Sequence, residues 1–395
     1  MTSNLPRGYK FSTVEAAIKK PGRKDLALIY SEKDAVVSGM FTTNLVKAAP
    51  VVLSMKNIKK GLGRAIIINS GNANACTGKQ GLKDTKLMIE MIANFLLVPS
   101  DSVYVCSTGV IGTSLPMDRI IPKIDELVSH IGISTIDDLA EAIMTTDTFK
   151  KISSRKINIS DSEITITGIC KGAGMICPNM ATMLSFILTD AHITKRALDE
   201  VLKYAVDNSF NRISVDGDMS TNDTVLLFAN ALSGNSLIDL DTDSFKSFSD
   251  ALSEVCLDLA KMIVKDGEGA TKCITLIIKG AKDEKDARKA SLAVANSMLV
   301  KTAIYGNDAN WGRIMAAIGY SGAKIVPERV SIFINDIKIV ENGISTGKDK
   351  QAQESMSKNS NIEIMIDLAH TQLVYKFYTC DLTGEYVKIN AEYRT

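Results

Sequence analysis

Eight short runs of strand-forming residues recur along the chain, at 26–30, 64–69, 102–106, 157–169, 185–188, 224–228, 273–278 and 330–334. Each is bounded by Gly, Asn, Asp or Ser, the usual surroundings of a strand. Between them, apolar residues fall at helical spacing over 85–97, 117–128, 135–144, 194–208, 244–264 and 286–302. The last two open on acidic or hydroxyl residues suited to capping. Strands and helices interleave without a regular βαβ beat, which favours a layered α+β architecture over a doubly wound parallel sheet.

With 395 residues, the chain has room for two or three domains at roughly 150 residues each. The charged connector KGAKDEKDAR at 279–288 slightly favours a division into 1–280 and 281–395. The polar stretch at 347–361 reads as a loop or a solvated helix, with a surface connection the commoner case. An apolar fraction of 45% and a charged fraction of 23% are ordinary globular usage, enough to bury a large core. The net charge of +1 gives no reason to expect nucleic acid or an anionic membrane as partner. No window reaches the roughly 18 apolar residues of a membrane span. The opening MTSNLPRGYKFSTVEAAIKK has no apolar signal core, so a cytoplasmic protein is expected. The seven cysteines are scattered with no C-x-x-C pair and read as free, mostly buried thiols. With only three histidines, a zinc site is not expected, and a general base must be one of these or another kind of group.

The unusual stretch is KGAGMICPNMATMLSFILTD at 171–190. It has a glycine pair (Gly172, Gly174), a turn-forming Pro178, the small Ala181 and then Thr182 at the head of an apolar run. A hydroxyl attacks its own preceding carbonyl only where that peptide is bent and uncrowded, which Gly, Pro and Ala permit. Hydrolysis of the resulting ester would leave Thr182 as a new N-terminus. Its α-amino group, with an ordinary pKa near 8, could then act as base for the adjacent hydroxyl. Such a device needs no histidine. On the pattern alone, a Gly/Pro loop entering a core strand, with Thr182 an ordinary β-branched residue, is the commoner reading.

Several longer motifs stand in order along the chain. They are PRGY at 6–9, GMFTTN at 39–44, NSGNANACTG at 69–78, STGVIG at 107–112 and TTDT at 145–148. After the stretch at 171–182 come DGDMSTNDT at 216–224, DGEG at 266–269, GNDANWGR at 306–313 and CDLTGEYVKINAEYRT at 380–395. Together they resemble the bifunctional ornithine acetyltransferase (glutamate N-acetyltransferase) family of arginine biosynthesis over nearly the whole chain.

The resemblance implies a layered sandwich of stacked β-sheets flanked by helices, with a smaller C-terminal α/β domain. It implies self-cleavage between Ala181 and Thr182 into an α chain, 1–181, and a β chain, 182–395, assembled as two of each. It implies an acetyl-enzyme on Thr182, an oxyanion hole at Thr108 and Gly109, and substrate contacts at Thr148, Lys171, Thr182, Glu268, Asn390 and Thr395. Lys171 suits a substrate carboxylate, and Glu268, between two glycines, suits an ammonium such as that of ornithine. The acetyl group would pass from N-acetylornithine to glutamate, with no cofactor or metal required; some members of the family also accept acetyl-CoA. Cys177 receives no role. The 69–78 motif lacks the Lys-Ser/Thr pair of a phosphate loop and reads as a tight loop shaping the site. Trp311, the single tryptophan, is expected in core packing or at an interface. Two other classes remain open: a self-processed hydrolase that lets water deacylate the threonine, and a non-enzymatic binding protein that stays intact at 42.7 kDa.

Overall fold

The computed structural model describes residues 4–177 and 183–392 of the protein. They divide into two compact units. The first holds 4–172, 183–211 and 218–262, and the second holds 173–177, 212–217 and 263–392.

The first unit contains β1 (Tyr9–Val14), β2 (Leu26–Phe41), β3 (Leu62–Asn72), β4 (Val103–Val110), β5 (Lys151–Ile159), β6 (Ser162–Lys171), β7 (Leu184–Thr189) and β8 (Thr224–Ala229). Its helices are α1 (Ala49–Asn57), α2 (Gly78–Leu96), α3 (Met117–Ser129), α4 (Ile136–Ala142), α5 (Lys195–Asp207) and α6 (Asp243–Lys265). The strand order is β4-β3-β2-β8-β7-β6-β5, with β1 on the side of β2.

The long β2 turns the sheet back on itself. Its first half pairs with β1 and β3. After a register shift between Tyr30 and Ala35, its second half pairs with β8. Strands that switch layers through such irregularities form the corners of packed sheets. Three strand spacings separate β4 from β8, roughly 14 Å in a flat sheet. Yet the Tyr104 and Phe228 rings meet edge to face at 5.5 Å, so the two halves are stacked.

The side-chain alternation of the strands sorts the cores. Ala27, Ile29, Ile66, Ile68 and Tyr104 face Phe186, Leu226 and Phe228 between the layers. Leu26, Leu28, Ala65, Ile67 and Val105 face Met88, Ile92, Ile120 and Ile124 of the covering helices. The fold class read from the sequence holds: mixed sheets in layers, flanked by helices.

Every residue of β7 is buried, as the run after Thr182 predicted. Leu184, Phe186, Ile187 and Leu188 each contribute on the order of 2 kcal/mol by burial. More telling is its place in the order. β7 and β8 lie between β2 and β6. A chain cut at 181–182 would keep the β7–β8 pair flanked on both sides by strands from before the cut, β6 beside β7 and β2 beside β8.

The second unit has one mixed sheet of β9 (Cys273–Lys279), β10 (Ser331–Ile334), β11 (Ile337–Glu341), β12 (Ile344–Ser345), β13 (Asn361–Asp367) and β14 (Val374–Cys380). The order is β12-β11-β10-β13-β9-β14, with β13 and β9 parallel. Its helices are α7 (Glu284–Ala295), α8 (Met298–Tyr305), α9 (Trp311–Tyr320), α10 (Asp349–Lys358) and α11 (Gly384–Ala391). Trp311 packs half-buried on this unit's core, the packing role expected of it.

Two readings change in detail, and a third resolves to one of its two alternatives. The run 157–169 is two strands, β5 and β6, because Ser160 takes a left-handed φ of 53° and turns the chain into a hairpin. The span 286–302 is two helices, because the Ser297 hydroxyl accepts from Val300 N at 3.3 Å and starts α8 afresh. The stretch 347–361 contains α10, a solvated helix that buries only Ala352 and Met356. Among the described residues no helix is long and apolar enough to cross a membrane. Among the described residues the cysteines form no disulfide, and four of the seven are buried.

Candidate active site

In the first unit, β3 and β4 run parallel and carry Ser70 opposite Thr108 and Gly71 opposite Gly109. Gly109 has φ +136°, and a Cβ there would lie 2.1 Å from the Gly71 carbonyl carbon. Only glycine fits, so the backbone here is shaped by close approach of two chains. Thr108 is buried, and its Oγ1 accepts a hydrogen bond from Lys171 Nζ at 3.2 Å. Lys171 ends β6 and is itself buried.

Beside them lies a carboxylate that the sequence reading left out. Asp147 Oδ1 accepts from Lys151 Nζ at 2.7 Å and from Gly172 N at 2.6 Å, while Oδ2 accepts from Thr145 N at 2.9 Å. The Asp147 and Lys151 side chains are wholly buried. Burial pushes the Asp147 carboxyl up, but the charges of Lys171 and Lys151 and the bonds from Lys151 and Thr145 outweigh it and hold it at about 2. Lys171 and Lys151 both bear on this one carboxylate in a buried place. Thr148 follows Asp147 directly and is exposed.

The 69–78 motif is only half loop. Asn69 to Asn72 complete β3, and the tight turns follow at Asn74 and Cys76, both with positive φ. Asn69 belongs to the cluster: its Oδ1 accepts from Ser107 Oγ at 2.5 Å, and its Nδ2 donates to Asn72 O at 2.8 Å.

In the second unit the 266–269 turn presents Glu268, which is buried. Its N–H donates to Ala173 O at 2.9 Å. A Cβ on Gly174 would sit 2.3 Å from Glu268 Cδ, so the second glycine of the pair makes room for a carboxylate rather than a bend alone. Thr383 caps α11 and also donates to Gly269 O at 2.8 Å. That docks α11 on the turn and brings Asn390 Nδ2 to Glu268 Oε2 at 2.8 Å. Asp216 accepts from Met175 N at 2.6 Å and Ile176 N at 2.9 Å, and Tyr386 OH donates to it at 3.3 Å.

Of the residues assigned by resemblance, Thr108, Gly109 and Lys171 come together in the first unit, and Glu268 and Asn390 in the second. Ala181, Thr182 and Thr395 lie outside the described residues. Asp147, Lys151, Asn69, Asp216 and Tyr386 went unassigned, although all but Lys151 fall in motifs singled out above. Among the described residues no group of three or more His, Cys, Asp or Glu is placed to hold a metal ion.

The ArgJ family model matches residues 10–395. This chain belongs to the ArgJ family. The arginine biosynthesis bifunctional protein ArgJ of Geobacter sulfurreducens is 50% identical over 390 residues, covering 98% of this chain and 99% of that protein. The mitochondrial ArgJ of Dictyostelium discoideum is 44% identical over 419 residues, covering 100% of this chain and 94% of its own. Among solved structures, a crystal structure of ArgJ from Bacillus halodurans is similar with a TM-score of 0.52 and 42% identity. It covers 53% of this chain and 99% of that one. ArgJ membership fits the layered fold and the ordered motifs.

Proposed function

We propose that this ArgJ-family protein is a glutamate N-acetyltransferase of arginine biosynthesis that cuts itself between Ala181 and Thr182 and then carries acetyl groups on Thr182. The observation that carries the reading is the buried Thr108–Lys171 pair beside Gly109, in a chain related to ArgJ proteins over its whole length.

Thr182 Oγ attacks the Ala181 carbonyl, the peptide nitrogen leaves as a free amine, and water hydrolyses the ester. The freed α-amine then takes the Oγ proton as Oγ attacks the acetyl carbonyl of N-acetylornithine. The oxyanion is met by the Thr108 hydroxyl and the Gly109 N–H; one such donor is worth about 3 kcal/mol. Ornithine departs as the amine, protonated by the α-ammonium. Glutamate then enters, and its amine takes the acetyl group. Lys171 binds the α-carboxylate of each amino acid, and Glu268, steadied by Asn390, meets the side-chain ammonium of ornithine. Thr148 and Thr395 complete the substrate contacts. A crystal chain of a relative that matches 53% of this one over 99% of itself supports the cut, because 182–395 is just over half of the chain. The word bifunctional in the relatives' names supports acetyl-CoA as a second donor. We place two α and two β chains in the assembly, and the enzyme in the cytoplasm.

Incubation with N-acetylornithine, with and without glutamate, tests the reaction. Ornithine release that depends on glutamate, matched by N-acetylglutamate, is expected. Acetate release at the same rate without glutamate would make the protein a hydrolase instead.

A further inference from the structure

The motif at 216–224 belongs to the resemblance, yet the proposed mechanism gives it no task. Two adjacent side chains in it, Asn222 and Asp223, are buried at 5% and 0% exposure, and both contact the backbone of the site. Asn222 Nδ2 donates to Ser107 O at 2.8 Å and to Ala73 O at 2.6 Å. Ser107 O and Thr108 N share one planar peptide, so this bond fixes the peptide that leads into Thr108; the Gly109 N–H belongs to the peptide after it. Asp223 Oδ1 accepts from Met183 N at 3.1 Å. By the same covalent logic, Met183 N belongs to the peptide that carries the Thr182 carbonyl. The dipeptide is itself held, since Thr42 N donates to Asp223 O at 3.0 Å and Thr224 N to Met183 O at 3.1 Å.

We infer that Asn222 and Asp223 are positioning residues that hold the peptide following the nucleophile and the peptide entering Thr108 in fixed register. The inference rests on the acetyl-threonine reading above. It explains why two polar side chains are buried side by side where strand β8 begins. Nucleophilic attack requires reacting atoms within about 3–3.5 Å and aligned, and small misplacements cost around 10²-fold. Two side chains one residue apart on a single rigid strand end hold such a spacing better than either could alone.

The remaining oxygen, Asp223 Oδ2, is buried with no hydrogen-bond partner among the described residues. Burial pushes the Asp223 carboxyl well up, against the weaker opposing pull of Met183 N–H, the Thr42 hydroxyl, Lys171 and the Ser220 hydroxyl. A neutral carboxyl needs no counter-ion and still accepts through Oδ1. Asparagine offers the same acceptor and a similar shape, which defines the test.

The full-length wild type, Asp223→Asn, Asp223→Ala and Asn222→Ala are made and followed by intact mass and by turnover of N-acetylornithine with glutamate. The inference expects Asp223→Ala to slow both scission and kcat by about 10²-fold with KM within threefold. Asp223→Asn should recover both rates to within about threefold of wild type. Asn222→Ala should lower kcat about tenfold with KM unchanged. Wild-type rates in Asp223→Ala or Asn222→Ala, or an Asp223→Asn protein that folds but is as slow as the alanine variant, overturn it. Should Asp223→Ala fail to fold, Asp223→Asn and Asn222→Ala decide by the same criteria. Wild type run in parallel separates the two levels. An uncut, active wild type defeats the threonine reading, whereas a cut wild type with an equally fast Asp223→Ala defeats only the positioning role.

Discussion

The polar cluster of the first unit and that of the second are built on different principles. In the first, charge is buried and hydrogen-bonded: Lys151, Asp147, Lys171 and Thr108 lie together at the ends of β4, β5 and β6. In the second, a single carboxylate occupies a gap left by Gly174 and is contacted by Asn390, an exposed residue on the last helix. Buried ionic sets are costly to break, and exposed hydrogen bonds are worth little. The first cluster should therefore govern stability and chemistry together, and the second should govern affinity for one substrate.

The largest expected effect is in the first cluster. Asp147→Ala leaves two buried lysines without their carboxylate and should cost about 3–5 kcal/mol in urea unfolding. A loss below 1 kcal/mol would mean the pair is not the buried support described. Thr108→Ala should slow scission and turnover alike by about 3 kcal/mol in barrier, with unfolding changed far less; equal rates to wild type would remove the oxyanion role. The pH dependence comes next. The Asp147 carboxyl is held at about 2 against an ordinary 3.8. Its folded value is depressed, so its contribution is present above pH 4 and is lost as pH falls toward 2, on the order of 2 kcal/mol. Asp147→Asn should flatten this acid limb, and an unchanged limb would assign the loss to other groups. The smallest effect belongs to the second cluster. Asn390→Ala should raise KM for N-acetylornithine several-fold, about 1 kcal/mol, while leaving kcat and unfolding near wild type. A large fall in kcat would erase the contrast between the clusters.

The layered core was legible because its strands are short, mostly apolar runs that lie almost wholly buried, as 26–30, 64–69 and 185–188 illustrate. Where a turn is made by ordinary residues, as at Ser160, or a cap interrupts a helical pattern, as at Ser297, periodicity runs straight through the break. Of the six strands of the second unit's sheet, the sequence reading marked two, β9 and β10. β13 alternates buried with more exposed residues along its seven positions, and β14 over its first four, a weaker signal than a continuous apolar run. At the site, Thr108, Gly109, Lys171, Glu268 and Asn390 came from the resemblance, not from periodicity. Lys151 reads as a surface lysine at a strand start, and nothing local reveals that Asp147 buries it. Asn222 and Asp223 sit in plain view in a motif, but the peptides they hold lie far away in sequence, and only folding brings them near.

The account turns on a chain that begins at Thr182. N-terminal sequencing of purified, catalytically active protein measures this directly. It should return two sequences, that of the intact start and Thr-Met-Leu-Ser. Active material that yields the first sequence alone would contradict the self-cleaving threonine mechanism.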